Sequence, residues 1–405
     1  MRLSYYISKK IIQNSSNSFS SLIHKIAIWS IGIGLGLMII SFMILDGFQS
    51  TIRNKILQFS GDIYVNKYTL SNSYEEEPIS THNLLLEDIT EFPNVESAYP
   101  VSHKPGLIKT DNEVSGVVIK GVQEDYKDSG FTNSIIDGQF PNLEGKKYSK
   151  EILISEEISN KLNITTGDEI IVYFIQNPPK ARKLKISGIY YSGIEDFDDK
   201  MIIGDLRMLQ KLNNWPDTLT GGIEVHLKSF NNLYIAEENL NEKLPHNLYV
   251  EPATSKFSDI FDWLNMLNTN VVVFLTLILA VASFNMISVV LILIMERTQM
   301  IGLMKAMGAT NRLIRKIFAY QGILLIGKGL LLGNIIGIGF GFLQDTFHIL
   351  PLDPESYYMS YVPIEWNFLT IVLLNVLTYI TISLVLIIPT IIISRINPIK
   401  AIKFV

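Results

Sequence analysis

The segment QGILLIGKGLLLG, Gln321 to Gly333, places Gly322 and Gly327–Lys328 at the spacing G-x-x-x-x-G-K. A phosphate-cradling loop uses that spacing because glycines let backbone N–H groups close around phosphate oxygens. A lysine then reaches the terminal phosphates, and a final Ser or Thr holds magnesium. Here Gly329 stands in the last position and the residues inside the motif are Ile-Leu-Leu-Ile. The run continues as LLLGNIIGIGFGF. A nucleoside triphosphate is not bound in hydrocarbon, so the match is accidental and no hydrolytic site is implied. Other chemistry is equally thin. His24, His82, His103, His226, His246 and His348 are scattered, with no H-E-x-x-H pair, and no G-x-S-x-G elbow occurs. Glu195, Asp196, Asp198 and Asp199 lack the spaced ligands of an EF-hand and read as a solvated turn. Paired carboxylates at no special spacing give a glycosidase no support. With no cysteine, disulfides and Cys-ligated metals are excluded. Catalytic and metal-ligating residues are therefore expected to be absent.

The elements around that lysine explain it better. The chain has 405 residues, 48% hydrophobic and 18% charged, so the distribution along the chain decides its class. Ile26–Leu45, Val271–Met295 and Phe368–Ile393 carry no charge, and Ile317–Leu343 is interrupted only by Lys328. About 20 apolar residues cross a bilayer core, so all four are predicted to span a membrane. The first is too long for a signal-peptide core and no small-x-small site follows it, so it reads as a retained anchor. Lys328 lies ~16 Å into its run at 1.5 Å per residue. It either snorkels or pairs with a helix dipole, Asn334 or Asn285, or else serves gating or cargo contact. Gly322, Gly329, Gly333 and Gly337, like Gly32 and Gly36, recur at helical spacing and are expected to let helices approach closely.

Basic residues set a direction. Arg2, Lys9, Lys10 and Lys25 precede the first run; Arg297, Lys305, Arg312, Arg315 and Lys316 crowd the loop between the second and third; Arg395, Lys400 and Lys403 follow the fourth. Residues 344–366 hold Asp345, Asp353, Glu355 and Glu365 but no Lys or Arg. The positive-inside bias places both termini and the 296–316 loop in the cytoplasm, and a large domain between the first two spans outside. The net charge of −5 gives no reason to expect a nucleic-acid partner. Residues 49–268 mix strand patterns (DIYVNKY, VSGVVIKGV, EILIS, DEIIVYFI, RKLKISGIYY, GGIEVHLK) with helical ones (THNLLLEDITEF, SEEISNKL, GDLRMLQKL, FNNLYIAEENLNEKL). The predicted fold class is α+β: four transmembrane helices with a large α+β extracytoplasmic domain between the first and second.

The stretch ERTQMIGLMKAMGATNRLIRKIFAYQG carries Ile301, Met304 and Met307, with Leu303 nearby, as a short apolar stripe that ends at Gly308-Ala309-Thr310. NRLIRKIFAYQG is expected to begin a second helix with a basic face. The short amphipathic helix suits either the headgroup layer or a groove in a partner.

These residues carry a resemblance. ASFNMIS, ERTQMIGLMKAMGAT, GILLIGKGLLLGNIIGIGFGFLQ, PIEW and the closing INPIKAIKF, with GIGLGLMIISFMILDGFQSTIRNKIL at the first span and GIYYSGIEDFDD in the outer domain, resemble the FtsX/MacB-type ABC transporter permease family, and within it the lipoprotein-releasing LolC/LolE subunits. The resemblance implies a MacB-like periplasmic core domain at 49–268, with a porter-like part at 50–122 and 219–254 and an inserted β-rich subdomain at 123–218. An FtsX-like permease domain would follow at 269–405, after a cytoplasmic segment 1–25 and a first span 26–48. It implies a coupling helix at 300–309 (Met300, Ile301, Leu303, Met304, Lys305, Met307, Gly308, Ala309), with Glu296 and Arg297 at its base, docking into a separate cytoplasmic LolD-like ATPase dimer. ATP and Mg would be held by that partner and no cofactor by this chain. A second permease copy or paralogue would face it, with Leu37, Met38, Phe42, Met43, Phe274, Phe284 and Met286 lining a cavity for the acyl chains of a lipoprotein in the bacterial inner membrane. The family's long hairpin that recruits a periplasmic lipoprotein chaperone is here only YFIQNPPKARKLKI, with Pro178–Pro179 at its tip, which argues against direct recruitment. Lys328 replaces a usually apolar residue of the family. Two other uses of the same architecture remain open: MacB-like export of a periplasmic substrate, and FtsX-like regulation of a cell-wall hydrolase.

Overall fold

The computed structural model describes residues 6, 19–67, 76–81, 83–110, 113–145, 147–353, 357 and 359–392. His82, Arg2, Lys9, Lys10, Glu355, Arg395, Lys400, Lys403 and the closing INPIKAIKF lie outside them. Two compact units result: Thr51–Asp262 with Asp353–Met359, and the remainder.

The first of these is built on strands β1 Ile63–Lys67, β2 Ile79–Ser80, β3 Val95–Lys109, β4 Val114–Val122, β5 Ile135–Gly138, β6 Glu151–Ser155, β7 Glu169–Phe174, β8 Lys180–Tyr190, β9 Met201–Asp205, β10 Leu219–Thr220, β11 Gly222–Leu227 and β12 Leu248–Pro252. Ten of them form one mixed sheet, ordered β12-β1-β11-β3-β4-β9-β6-β8-β5, with β7 paired to β3 and β8; β2 and β10 pair separately. Each sequence-predicted strand is present. The sequence patterns do not mark β2, β3, β5, β9, β10 or β12. Pro100 and Pro105 break the strand signature of β3, yet Pro100 stands opposite Ile223 and Pro105 opposite Val118 in antiparallel pairing.

Two apolar cores flank this sheet. One gathers Ile63, Val65, Ile89, Val95, Ile223, Val225, Leu240 and Val250. The other gathers Ile108, Val117, Ile119, Ile152, Ile186, Ile202 and Leu209. Val117 and Ile119, placed by the sequence reading in the porter-like part, thus pack in the second core, because β4 pairs in parallel with β9. The acidic turn is solvated at Glu195, Asp196 and Asp199, which are exposed, and departs from that expectation only at Asp198. Asp198 is buried, and its carboxylate accepts from the N–H groups of Ser192 (3.0 Å) and Gly193 (2.8 Å). The short hairpin is as read: β7 and β8 pair up to Phe174 and Lys180, with residues 175–179 between.

The second unit is helical. Four helices are long and apolar enough to cross a membrane: Phe19–Ser60, Ser258–Glu296, Asn311–Phe347, and a segment Phe368–Ile391. NRLIRKIFAYQG opens a helix as expected, and that helix is the third long one: Thr310 caps it by accepting from Leu313 N–H, and it runs to Phe347. The glycines do what their spacing implies. A Cβ on Gly329, Gly333 or Gly337 would lie 2.7, 2.7 and 2.8 Å from Ile31, Leu35 and Ile39, and one on Gly32 or Gly36 would lie 2.8 and 2.9 Å from Leu332 and Ile336. Side chains of one helix thereby fill the gaps left by the glycines of the other, which is how helices associate where lipid gives no hydrophobic drive. Polar pairs add to this: Asn285 Nδ2 to Ser30 Oγ (2.7 Å), Gln321 with His24 (2.9 Å), and the reciprocal pair Asn334–Asn375 (2.7 and 2.9 Å).

Candidate functional site

Between the second and third long helices the chain makes an elbow. The nine-residue helix Thr298–Ala306 starts after Arg297 and stops because Gly308 takes a left-handed conformation (φ +92°). Gly308 N–H bonds Lys305 O (3.0 Å) and Ala309 N–H bonds Met304 O (2.9 Å), so the last carbonyls are satisfied. Thr310 then opens the next helix.

The elbow divides the residues that sequence grouped together. Ile301 is fully buried, packed in one cluster with Val290, Ile294, Ile314 and Phe318, and Met304 and Ala309 lie half-buried against that cluster. Leu303 is 56% and Met307 72% exposed. The expected stripe Ile301–Met304–Met307 is therefore not a single outward face, because the first two residues seat the helix on its own unit. The free apolar surface belongs to Leu303 and Met307. Glu296 and Gly308 are exposed, whereas Met300, Lys305 and Arg297 are half-buried.

The residues expected to line an acyl cavity divide in the same way. Leu37, Phe274 and Phe284 are exposed. Met38 and Met43 are buried among Leu35, Ile39, Leu275 and Ile371, with Phe42 half-buried against them, and Met286 is buried with Val290 and Ile326. Residues one step apart on a helix point about 100° apart, so Leu37 faces outward while Met38 turns to the core. Only three of the seven are available to a ligand on this surface. Lys328 is exposed; Asn334 and Asn285, its expected partners, are paired elsewhere.

The sheet-containing unit, Thr51–Asp262 with Asp353–Met359 and here called the outer unit, holds a polar site that the sequence reading did not single out. Lys120 of β4 has no exposed side-chain surface. Its ammonium donates to Glu224 of β11 (2.7 Å), to Tyr126 Oη (2.6 Å) and to Phe59 O (2.7 Å), in the last turn of the helix Phe19–Ser60. That turn has no basic residue of its own, so Lys120 supplies the cation that the negative end of a helix favours. Burial pushes the Glu224 carboxyl up, but the ammoniums of Lys120 and Lys256 outweigh it and hold the group below its ordinary range. The available signal was a charge inside each apolar strand: Lys120 in VVIKGV, Glu224 in GGIEV. Beside this pair lies a cavity of about 430 Å³ bordered by Phe59, Tyr64, Glu76, His103, Glu224 and Lys256. Glu76 closes one side, accepting from Ser102 Oγ (2.6 Å), Tyr64 Oη (3.0 Å) and His103 N (2.9 Å). Nearby, burial pulls the His226 imidazole down to about 4, and burial pushes the Asp62 carboxyl up to about 6 against a hydrogen bond from Leu227 N–H. Among the described residues no cluster of three or more metal-ligating side chains occurs.

Comparison with known proteins follows both units. The family of FtsX-like permease C-terminal domains matches residues 272–398, and that of MacB-like periplasmic core domains matches residues 26–243. The lipoprotein-releasing system transmembrane protein LolC of Xylella fastidiosa (strain Temecula1) is 22% identical over 405 residues, covering 96% of this chain and 95% of that protein. LolE of Haemophilus influenzae is 23% identical over 381 residues, 89% of each chain. The crystal structure of the periplasmic region of MacB from Actinobacillus actinomycetemcomitans aligns with a TM-score of 0.34 and 12% identity, over 50% of this chain and 95% of that one.

Proposed function

Because the chain belongs to the family of proteins with a MacB-like periplasmic core domain, joined here to an FtsX-like permease C-terminal domain, we propose that it is the permease subunit of an ABC transporter that extracts and releases lipoproteins from the bacterial inner membrane. The observation that carries this reading is the match to lipoprotein-releasing permeases along nearly the whole chain, across both units. In it the termini and the elbow are cytoplasmic, the β-rich unit is periplasmic, and a separate ATPase dimer binds ATP and Mg.

Leu303 and Met307 supply the docking surface for that ATPase, as an amphipathic helix does in a partner's groove. Ile301, buried with Ile294 and Ile314, then passes any displacement of the elbow to the second and third long helices. Leu37, Phe274 and Phe284 meet acyl chains, alone or with a second permease copy or paralogue. The outer unit divides into a porter-like part and an inserted part that together take up the displaced lipoprotein.

The test is double. Leu303→Asp with Met307→Asp is expected to release the co-purifying ATPase while membrane insertion persists. Mass spectrometry of the wild-type complex should find acylated peptides, and added lipoprotein should raise ATP hydrolysis. An ATPase that stays bound to the double variant removes the docking assignment. A cell-wall hydrolase on the outer unit with no acyl cargo replaces the function.

A further inference from the structure

Lys328 is the one charged residue within the apolar run Ile317–Leu343. Its side chain is exposed, on the side of the helix where Leu331 and Ile335 are also exposed. Beside it, a Cβ on Gly327 would meet no heavy atom within 4 Å, so that glycine leaves a notch that no other part of the described chain fills. Asn334 and Asn285 are engaged with Asn375 and Ser30. No Asp or Glu occurs between Glu296 and Asp345, and the other three apolar runs hold none. An ammonium at such a depth persists with an anionic or polar partner. The four apolar runs of this chain contain no carboxylate to offer it, so a counter-charge at this depth would come from outside the chain.

We propose that Lys328 binds the phosphate of an anionic glycerophospholipid, whose acyl chain lies along the Gly327 notch, Leu331 and Ile335. Helical side chains lean toward the N-terminus, so the lysine stem carries its ammonium about four residues, ~6 Å, toward the Lys316 end. Exposed Arg312 and Lys316 lie in that direction. They add positive charge to the same end of the helix, and its acid-free sequence offers nothing to the choline or ethanolamine of a zwitterionic lipid. A headgroup of net negative charge fits; a zwitterionic one brings a cation with no partner. The phosphate is met below the level of Lys316, so the lipid sits deeper than its neighbours and the leaflet thins locally on this side.

The test uses the full chain with its co-purifying subunits in detergent, titrated with phosphatidylglycerol and separately with phosphatidylcholine, bound lipid being counted by native mass spectrometry. The wild type is expected to take its first phosphatidylglycerol about tenfold more tightly than phosphatidylcholine, the scale of one charge-assisted hydrogen bond. Lys328→Arg keeps the preference, Lys328→Leu abolishes it, and Gly327→Leu weakens it with the ammonium intact. Leucine is a good helix former that removes a charge from hydrocarbon, so loss of fold does not confuse the result. Equal affinity for the two lipids in the wild type, or an undiminished preference in Lys328→Leu, overturns the proposal. So does a Lys328→Leu protein that sheds a subunit yet keeps its preference, since the ammonium then faces a partner's carboxylate.

Discussion

The outer unit and the helical unit solve the same packing problem with opposite materials. The outer cores are filled by branched side chains such as Ile119, Ile152 and Ile223, and water drives their burial. The helical unit instead removes side chains at its tightest contacts, Gly329, Gly333 and Gly337 against Ile31, Leu35 and Ile39, and adds amide pairs such as Asn334–Asn375. Where burial from water is free, a charge such as Lys120 can be enclosed if all its donors find acceptors. Where the surroundings are already apolar, close backbone approach and hydrogen bonds do the selecting.

The sharpest way to break this contrast is at the buried pair. Lys120→Met alone strands the Glu224 carboxylate and is expected to cost about 3–5 kcal/mol, whereas Lys120→Met with Glu224→Leu recovers most of that loss, short of wild type because Phe59 O still lacks its donor. Denaturant unfolding of the full chain, followed through its aromatic fluorescence, separates the two; equal losses would mean that packing, not charge, sets the cost. Next comes acid. Asp62, raised from 3.8 to about 6, stabilises the fold below the lower value and loses that contribution as pH rises through 6. His226, lowered from 6.5 to about 4, stabilises above the upper value and loses its contribution as pH falls through 4. Between pH 4 and 6 the two slopes oppose each other. His226→Gln should therefore uncover a loss of about 3 kcal/mol as pH rises from 4 to 6, and Asp62→Asn a loss of similar size in the other direction. Unfolding curves that stay parallel to wild type across that window would remove both assignments.

Two smaller changes sharpen the helical side. Gly333→Ala must push Leu35 aside and is expected to cost about 1–3 kcal/mol. Gly327→Ala meets open space and should be neutral or gain up to about 1 kcal/mol from helix propensity. Thermal unfolding in detergent reads the difference, and the same sign at both positions would refute the glycine packing. Asn334→Leu, which leaves Asn375 without its partner, is expected to lose only about 0.6–1.7 kcal/mol, measurable in the same way.

What could be read in advance follows the same division. The four apolar runs, the glycine spacing and the strands with uninterrupted β-type residues were legible because each is a local pattern. β3 was hidden by Pro100 and Pro105, whose missing N–H groups count against a strand until its neighbours are known. The Lys120–Glu224 pair joins residues far apart in the chain, and only the register β11-β3-β4 brings them together. At the elbow the residue types were legible but not their direction. Helical periodicity defines a stripe, yet it does not say whether Ile301 or Leu303 meets the parent unit, and packing against Ile294 and Ile314 decided that.

One contact governs how the first long helix can move. At Gly47 the segment before the fourth span crosses so close that a Cβ would lie 2.6 Å from Pro363 O, and Glu365 N–H bonds Met43 O (3.1 Å). A step of one residue about the helix axis turns it by about 100° and would drive Asp46 or Phe48 into that crossing. The helix is thus keyed to that segment, and turning about its axis would break this crossing.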